Sequence, residues 1–319
     1  MRNVKPIGRG KMEKTKGKRR LSKSEREKRK DKVTSFIVLA IAAVFFIFPF
    51  LYMFGSSVKS DLDLQLHPEM IFPSDWSEWT FERYLGFFVY EGQVAALPVL
   101  LLNSLWSTGA TVLLTIVLDL LMAYAVIFIR FKAKKPIVNF LYIWMAIPGV
   151  IATAPQFALY ATFRNMFNLY EGMGAYFYIY LWLILPGTTS IFNVLLMRNM
   201  FASIPMEIIE SARSDGAKNR TIFFRIVVPL ARSTILLITL FTFSSSWNSL
   251  AWPMLILNGE DRYWKTLTLA LTGYTGGTSW GQVGYSMATS VFALIPTLII
   301  FLFTQNKMID GLATTGVKK

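Results

Sequence analysis

Apolar residues in this chain run in long, uninterrupted stretches separated by short charged loops. A helix needs about 20 consecutive apolar residues to cross the hydrocarbon core of a bilayer. Six stretches qualify: 33–57, 96–129, 137–162, 175–200, 222–256 and 285–306. None alternates with a period of two, and an open strand leaves its backbone unsatisfied in lipid, so each stretch is predicted to be a helix. The expectation is an all-α membrane protein with six transmembrane helices. Residues 1–32 form a basic tail, 33–309 the membrane domain, and 310–319 a second tail.

Loop charge orients the spans, because Lys and Arg accumulate on the cytoplasmic side. The N-terminal tail is strongly basic, whereas loop 58–95 is acidic, with Asp61, Asp63, Glu69 and Asp75 among its carboxylates. Loop 130–136 carries Arg130, Lys132, Lys134 and Lys135, and loop 163–174 only Arg164 and Glu171. Loop 198–221 is basic again through Arg198, Arg213, Lys218 and Arg220. The alternation predicts that both termini are cytoplasmic and that the chain is a multi-pass protein of the cell membrane.

Composition supports the pattern. The chain is 54% hydrophobic and 16% charged, against about 25% charged in soluble domains. The net charge of +14 would suggest nucleic acid if it were spread over the surface. It is not: residues 1–32 hold fifteen Lys and Arg against four acids, +11 of the total. A basic block before an apolar run is an orientation signal with affinity for anionic membrane lipid. No aromatic residues interleave these cations as a nucleic-acid platform would require, so no nucleic-acid partner is expected. The chain has no cysteine, which excludes disulfides, thiolate metal sites and redox chemistry. The apolar run after Val33 is too long for a cleavable leader and lacks a small-residue cleavage site, so it reads as a retained span.

One loop departs from the simple pattern. Within 201–221, Met206, Ile209 and Ala212 fall at helical spacing ahead of Gly216. Ser203 or Pro205 can start a short helix, with Glu207 and Glu210 favourable in its early turns. Gly216 can end it, since glycine takes the left-handed conformation cheaply. An amphipathic helix outside the membrane is predicted; rest on the lipid surface is the plainer alternative.

The spacing Glu210-Ser211-Ala212, three residues ending in Asp215, Gly216, nine residues, then Ile226-Val227-Val228-Pro229 resembles the EAA loop of ABC importer permeases. It departs from that pattern at Ser211 (for alanine) and Val228 (for leucine), both shape-compatible. The ends of the chain extend the resemblance. Ser56-Ser57-Val58-Lys59, Thr80-Phe81-Glu82-Arg83-Tyr84, Asn103-Ser104 and the ending Gly311-Leu312 to Gly316-Val317-Lys318 are similar to the sugar-importer permeases related to the maltose system, specifically to their second permease. The resemblance covers about 33–319 and implies a type I ABC importer permease fold. It implies three kinds of partner: a second, homologous permease in a heterodimer, two ATPase subunits, and an extracytoplasmic sugar-binding protein. The loop helix would dock in a groove of the ATPase, with Glu210 offering a carboxylate, Ser211 and Ala212 allowing close approach, Gly216 the turn, and Pro229 the return into a span. The cargo implied is a carbohydrate, an oligosaccharide by preference; a non-sugar solute is the alternative.

The chain has no phosphate-loop pattern, so ATP and Mg are expected in the partner ATPase, with no cofactor or metal on this chain and no enzymatic activity of its own. A secondary carrier should show more ionisable groups within the spans and an internal repeat; a membrane enzyme should show a clustered nucleophile, acid pair or metal set. Asp119 is nearly alone in the spans, and its alternatives are function or pairing within the bundle. Asn103, Asn193, Trp247 and Asn248 are candidate sugar contacts, or else packing between helices. Pro148, Pro155, Pro186, Pro253 and Pro296 interrupt the spans, as ordinary irregularity or as bends shaping a pathway. His67 reads as a loop residue. Trp252, Tyr263, Trp264 and Trp280 read as interfacial anchors. Gly273, Gly276, Gly277, Gly281 and Gly284 read as a flexible outer loop.

Overall fold

The computed structural model describes residues 23–86, 97–188, 190–257, 259–260, 262–275 and 280–316. Among them the structure is helical, with one isolated backbone bridge, Lys59 to Trp79. The chain divides into two compact units, Met1–Leu51 and Tyr52–Lys319.

Helix α1 (Lys23–Ser57) starts before the predicted span. The stretch KSEREKRKDK is rich in good helix formers and carries the helix back into the basic tail. The last ten residues of that tail are therefore helical and continuous with the helix that follows. From Val33 to Leu51 almost every side chain is exposed, on all sides of the helix. Apolar residues around the whole circumference suit a lipid environment.

The second unit is organised on α4 (Leu97–Phe128), which matches its predicted span within a residue at each end. It packs against α7 (Gly172–Ile184), α8 (Ile191–Ala202), α12 (Arg232–Trp247) and α14 (Leu267–Thr275). Among the described residues, three helices are long and apolar enough to cross a membrane, or up to six if each bent pair counts as one span. Three of the six predicted stretches are thus bent pairs of helices. Helix α5 (Lys134–Met145) meets the segment Gly149–Met166, which contains α6 (Thr153–Met166), at 97°. Pro148 sits at this corner, where it cannot continue a helical ladder. Helix α7 (Gly172–Ile184) ends in the tight turn Leu185–Thr188, which holds Pro186, before α8 (Ile191–Ala202).

The predicted fifth span is divided as well. Short helices α10 (Asn219–Ile222) and α11 (Val228–Leu230) flank a π-helical turn, Phe223–Val227, and bend by 73° into α12 (Arg232–Trp247). Pro229 has no N–H to donate, and the ladder just before it shifts to the wider spacing, Val228 N–H donating to the Phe223 carbonyl. Helix α13 (Ala251–Leu257) follows a break at 248–250. The segment expected as an outer loop holds α14 (Leu267–Thr275), whose Leu267, Leu269 and Ala270 are buried and which packs on α4 and on α15 (Trp280–Gly316).

Residues 58–86 fold into a cap, although Lys59 and Arg83 are the only cations predicted there. Both are buried. Lys59 Nζ donates to the carbonyls of His67 (2.7 Å) and Met70 (2.6 Å), closing α2 (Asp61–Leu66) against the loop after it. Arg83, in α3 (Glu82–Gly86), donates to the carbonyls of Ser57 (3.2 Å) and Lys59 (2.5 Å) and to Asp61 (2.5 Å). Its guanidinium lies where a Cβ on Gly284 would be, 2.2 Å from Cζ. Gly284 thus belongs to helix α15 and is required small by Arg83, which corrects its reading as part of a flexible loop. Gly276 and Gly277 lie outside the described residues.

Candidate functional site: a loop helix and a hydroxyl-lined cavity

The loop helix forms as predicted, as α9 (Met206–Ser214), with Pro205 rather than Ser203 preceding it. Its end is stapled twice: Gly216 N–H donates to the Arg213 carbonyl and Ala217 N–H to the Ala212 carbonyl, each at 3.0 Å. This pair of bonds is the Schellman arrangement, which needs a left-handed residue at the turn. Gly216 supplies it at φ +82°, with no atom within 4 Å of where a Cβ would lie. Within this chain it supplies the conformation of the turn and makes no close approach.

Nine residues cannot hold a helix in water unaided. What holds α9 is Ile209, fully buried in a core cluster with Ala123, Tyr124 and Phe128 of α4, Met197 and Phe201 of α8, and Ile238 of α12. Ala212 and Ala217 pack against the same cluster. Met206 is exposed, so the buried stripe is Ile209 and Ala212, not the predicted three. Glu207, Glu210, Ser211, Asp215 and Gly216 face outward. Of the two small residues in the motif, Ser211 is on the open face and Ala212 faces its own core. Ile226 is half-buried against the cluster, and Pro229 is exposed just before the bend into α12. The motif thus spans one mechanical unit: an exposed polar face, a hydrophobic bolt, and a bend leading into a long helix.

A second site lies where the broken helices meet. Ser107 and Thr111 of α4, Thr153 and Gln156 of α6, Ser245, Ser246 and Ser249 near the end of α12, and Trp252 and Pro253 of α13 line a cavity of about 220 Å³. A second chamber of about 340 Å³ shares Gly187 and Ser245 with it and adds Ser190, Asn193, Thr242, Phe192 and Phe241. Two of the interrupting prolines, Pro186 and Pro253, line the first chamber. Helix breaks therefore border this space: Pro186 lies in the turn after α7, and Pro253 in the first turn of α13 beyond the break at 248–250. Gly187 also permits close packing here: its Cβ would lie 3.1 Å from Thr111 Cγ2.

The sequence-derived pathway residues separate into groups. Asn193 lines the second chamber while its amide donates to Thr242 Oγ1 at 3.0 Å. Asn103 is buried; its amide donates to the carbonyls of Tyr263 (2.7 Å) and Lys265 (3.0 Å), and its oxygen accepts from Tyr176 at 3.2 Å. These bonds fasten α4 to the loop before α14 and occupy the amide. Trp247 is 2% exposed, stacks on Phe243 and donates through Nε1 to the Ala293 carbonyl at 2.8 Å. A ring so enclosed presents no face to a sugar in this conformation. Asn248 is exposed, with its amide bonded to the Ser244 carbonyl at 2.8 Å. Asp119 is 1% exposed, and its Oδ2 has no hydrogen-bond partner among the described residues.

Other residues were missed by the sequence reading. Trp252 donates to the Trp182 carbonyl at 2.7 Å and lines the cavity, a contact the sequence did not reveal. Trp264 packs in an internal aromatic cluster around Tyr160, whose neighbours include Tyr178 and Trp182. Above that cluster, Arg164 pairs with Glu260 at 2.5 Å and lies over the Tyr170 ring. A signal for the cavity was present in the run Ser244-Ser245-Ser246 inside an apolar stretch, and in Ser107 and Thr111, which repeat at four residues.

A bundle of bent apolar helices around a polar cavity, with an exposed helix fastened to its core, has the architecture of a membrane permease. Residues 115–307 match the family described as binding-protein-dependent transport system inner membrane component. The chain belongs to this family; it is a multi-pass membrane component of a transport system and not an enzyme. It is 29% identical over 281 residues to the diacetylchitobiose uptake system permease protein DasC of Streptomyces coelicolor, covering 85% of this chain and 92% of that protein. It is 27% identical to the arabinooligosaccharides transport system permease protein AraQ of Halalkalibacterium halodurans, covering 88% and 95%. Its fold matches a chain of a bacterial ABC transporter that imports the acidic polysaccharide alginate, with a TM-score of 0.69, 20% identity, and coverage of 90% and 98%.

Proposed function

We propose that this chain is one of two homologous permease subunits in an ATP-driven carbohydrate importer, with six spans and both termini in the cytoplasm. The observation that carries this reading is α9: an exposed polar face on a helix whose one large apolar side chain, Ile209, is locked into the core of α4, α8 and α12. Such a helix transmits force in a way that a helix lying on lipid does not. An ATPase subunit docks on the face of Glu207, Glu210 and Ser211; two such subunits hold the ATP and Mg. Closure of the ATPases displaces α9, and the displacement passes through Ile209 to the core and through Pro229 into α12. The hydroxyl-lined chambers at the far end of α12 give the cargo its path. Serine and threonine hydroxyls exchange hydrogen bonds with a polyol, and Trp252 offers an apolar surface to a sugar ring. An extracytoplasmic binding protein delivers the cargo. The permease relatives named above carry oligosaccharide names, which supports an oligosaccharide as cargo.

Affinity purification of the full chain from its native membrane tests the assembly. A second six-span protein and an ATPase are expected to co-purify, and Glu210→Lys to release the ATPase while leaving the permease pair intact. Uptake that persists in ATP-depleted vesicles and follows an ion gradient would refute the reading.

A further inference from the structure

The elbow between α9 and α12 presents a face that the transport cycle proposed above does not use. Residues 219–230 turn by 73° into α12. Membrane helices tilt by about 20° on average, so a segment at that angle to a span runs close to the membrane plane. Its inner side is fixed: Ile222, Phe223 and Val227 are buried in one core cluster with Tyr124 and Phe128 of α4. The rings of Tyr124 and Phe223 meet edge to face, with centroids 5.1 Å apart. Its outer side is Arg220, Phe224, Arg225, Pro229 and Leu230, all exposed, and exposed Arg232 follows the bend. Phe224 leaves 59% of its surface uncovered and Leu230 47%.

The charge on this face has one sign. Between Gly216 and Gly259 stand four cations, Lys218, Arg220, Arg225 and Arg232, and no Asp or Glu. None of the four takes part in an ion pair among the described residues. The neighbouring end of α4 adds a second basic stretch. Arg130 lies two residues beyond Phe128, and Lys134 Nζ donates to the Ile127 carbonyl at 2.8 Å, which folds Arg130 to Lys135 back onto that helix end. No acidic residue lies between Asp119 and Glu171. The outward face of α9 differs, because Glu207, Glu210 and Asp215 share it with Arg213.

Long cationic side chains that extend past uncovered apolar ones, on a helix in the membrane plane, are what an anionic bilayer surface attracts. We propose that the elbow is a binding site for anionic phospholipid, with headgroup phosphates met by Arg220, Arg225 and Arg232 and acyl chains laid against Phe224 and Leu230. Arg130, Lys132 and Lys135 add to the attraction from the adjoining loop. The site depends neither on the identity of the cargo nor on which face the ATPase grips.

The test uses the complete permease–ATPase complex in nanodiscs of phosphatidylcholine with about one-third phosphatidylglycerol, an anionic surface of the kind the elbow fits. Each lipid is supplied in turn with the same photoactivatable acyl chain, and adducts on residues 218–236 are mapped by peptide mass spectrometry. One cation near such a surface is worth about a fivefold preference. Wild type is therefore expected to carry at least about tenfold more phosphatidylglycerol than phosphatidylcholine adducts on this segment. The triple variant Arg220→Gln, Arg225→Gln, Arg232→Gln is expected to bring the ratio to within about twofold of equality, with the ratio on residues 1–32 unchanged and the ATPase still bound. The triple Lys variant keeps the charge and should keep the preference. Phe224→Ala should lower adducts of both lipids at an unchanged ratio. Equal labelling by the two lipids in wild type overturns the inference, as does an unchanged ratio in the Gln variant or a lost preference in the Lys variant. Release of the ATPase by the Gln variant at an unchanged lipid ratio assigns the face to a protein partner instead. None of these outcomes touches the importer reading, which stands or falls on co-purification and ATP dependence.

Discussion

Under the proposed function Ile209 is the point at which force from an ATPase enters the core, and its truncation gives the most direct test of that role. The side chain is fully buried, and α9 has only nine residues, too few to persist unattached. Complete burial of an isoleucine contributes about 1.5–3 kcal/mol. Truncation to alanine in a packed core costs about 2–5 kcal/mol once the cavity left behind is included. Ala212 and Ala217 are the remaining apolar attachments, and each is too small to compensate. A loss of about 3 kcal/mol lowers the docked population of α9 relative to the undocked by roughly a hundredfold. Ile208→Ala is the matched control, because Ile208 is 43% exposed and one position away on the same helix. The assay is amide hydrogen exchange over 206–217 in the reconstituted complex, together with ATP hydrolysed per sugar imported. Ile209→Ala is expected to lose protection across the whole helix and to raise the ATP cost of transport several-fold. Ile208→Ala should keep its protection. Equal protection in the two variants would refute the claim that Ile209 fastens the helix.

Three further outcomes follow from the same geometry. Gly216→Ala should weaken the end of α9 by roughly 1–2 kcal/mol through its left-handed backbone alone, with Gly216→Asn milder, read from exchange at the Gly216 and Ala217 amides. Asn103→Ala removes two hydrogen bonds to the carbonyls of Tyr263 and Lys265 and should cost about 1–3 kcal/mol in thermal unfolding of the complex; a change in sugar preference at unchanged stability would contradict its fastening role. The Arg164–Glu260 pair is about 15% exposed on each side, so Arg164→Ala strands a largely buried carboxylate and should cost about 2 kcal/mol. Glu260→Ala combined with it should recover part of that loss in a double-mutant cycle, whereas simple additivity would show that the two do not interact.

Sequence alone determined the class of element and the place of the driving helix. Apolar runs of sufficient length can only be helices in lipid, and the match of α4 to 96–129 reflects a period and length that need no partner to be read. Gly216 was legible for the same reason: a left-handed helix end is a local backbone demand, and glycine meets it wherever the rest of the chain lies. The tertiary structure decided which residues face which neighbour. Whether Ile209 or Met206 is the bolt depends on the position of Phe128 and Ile238, residues distant in sequence. Asn103 and Trp247 looked like open sugar contacts because a polar or aromatic side chain in a span shows its chemistry but not its partners; their bonds to Tyr263, Lys265 and Ala293 exist only after α14 and α15 have packed on α4 and α12. Bent helices were legible as prolines, but not the cavity they enclose, since a cavity is the space left between elements and no single segment encodes it.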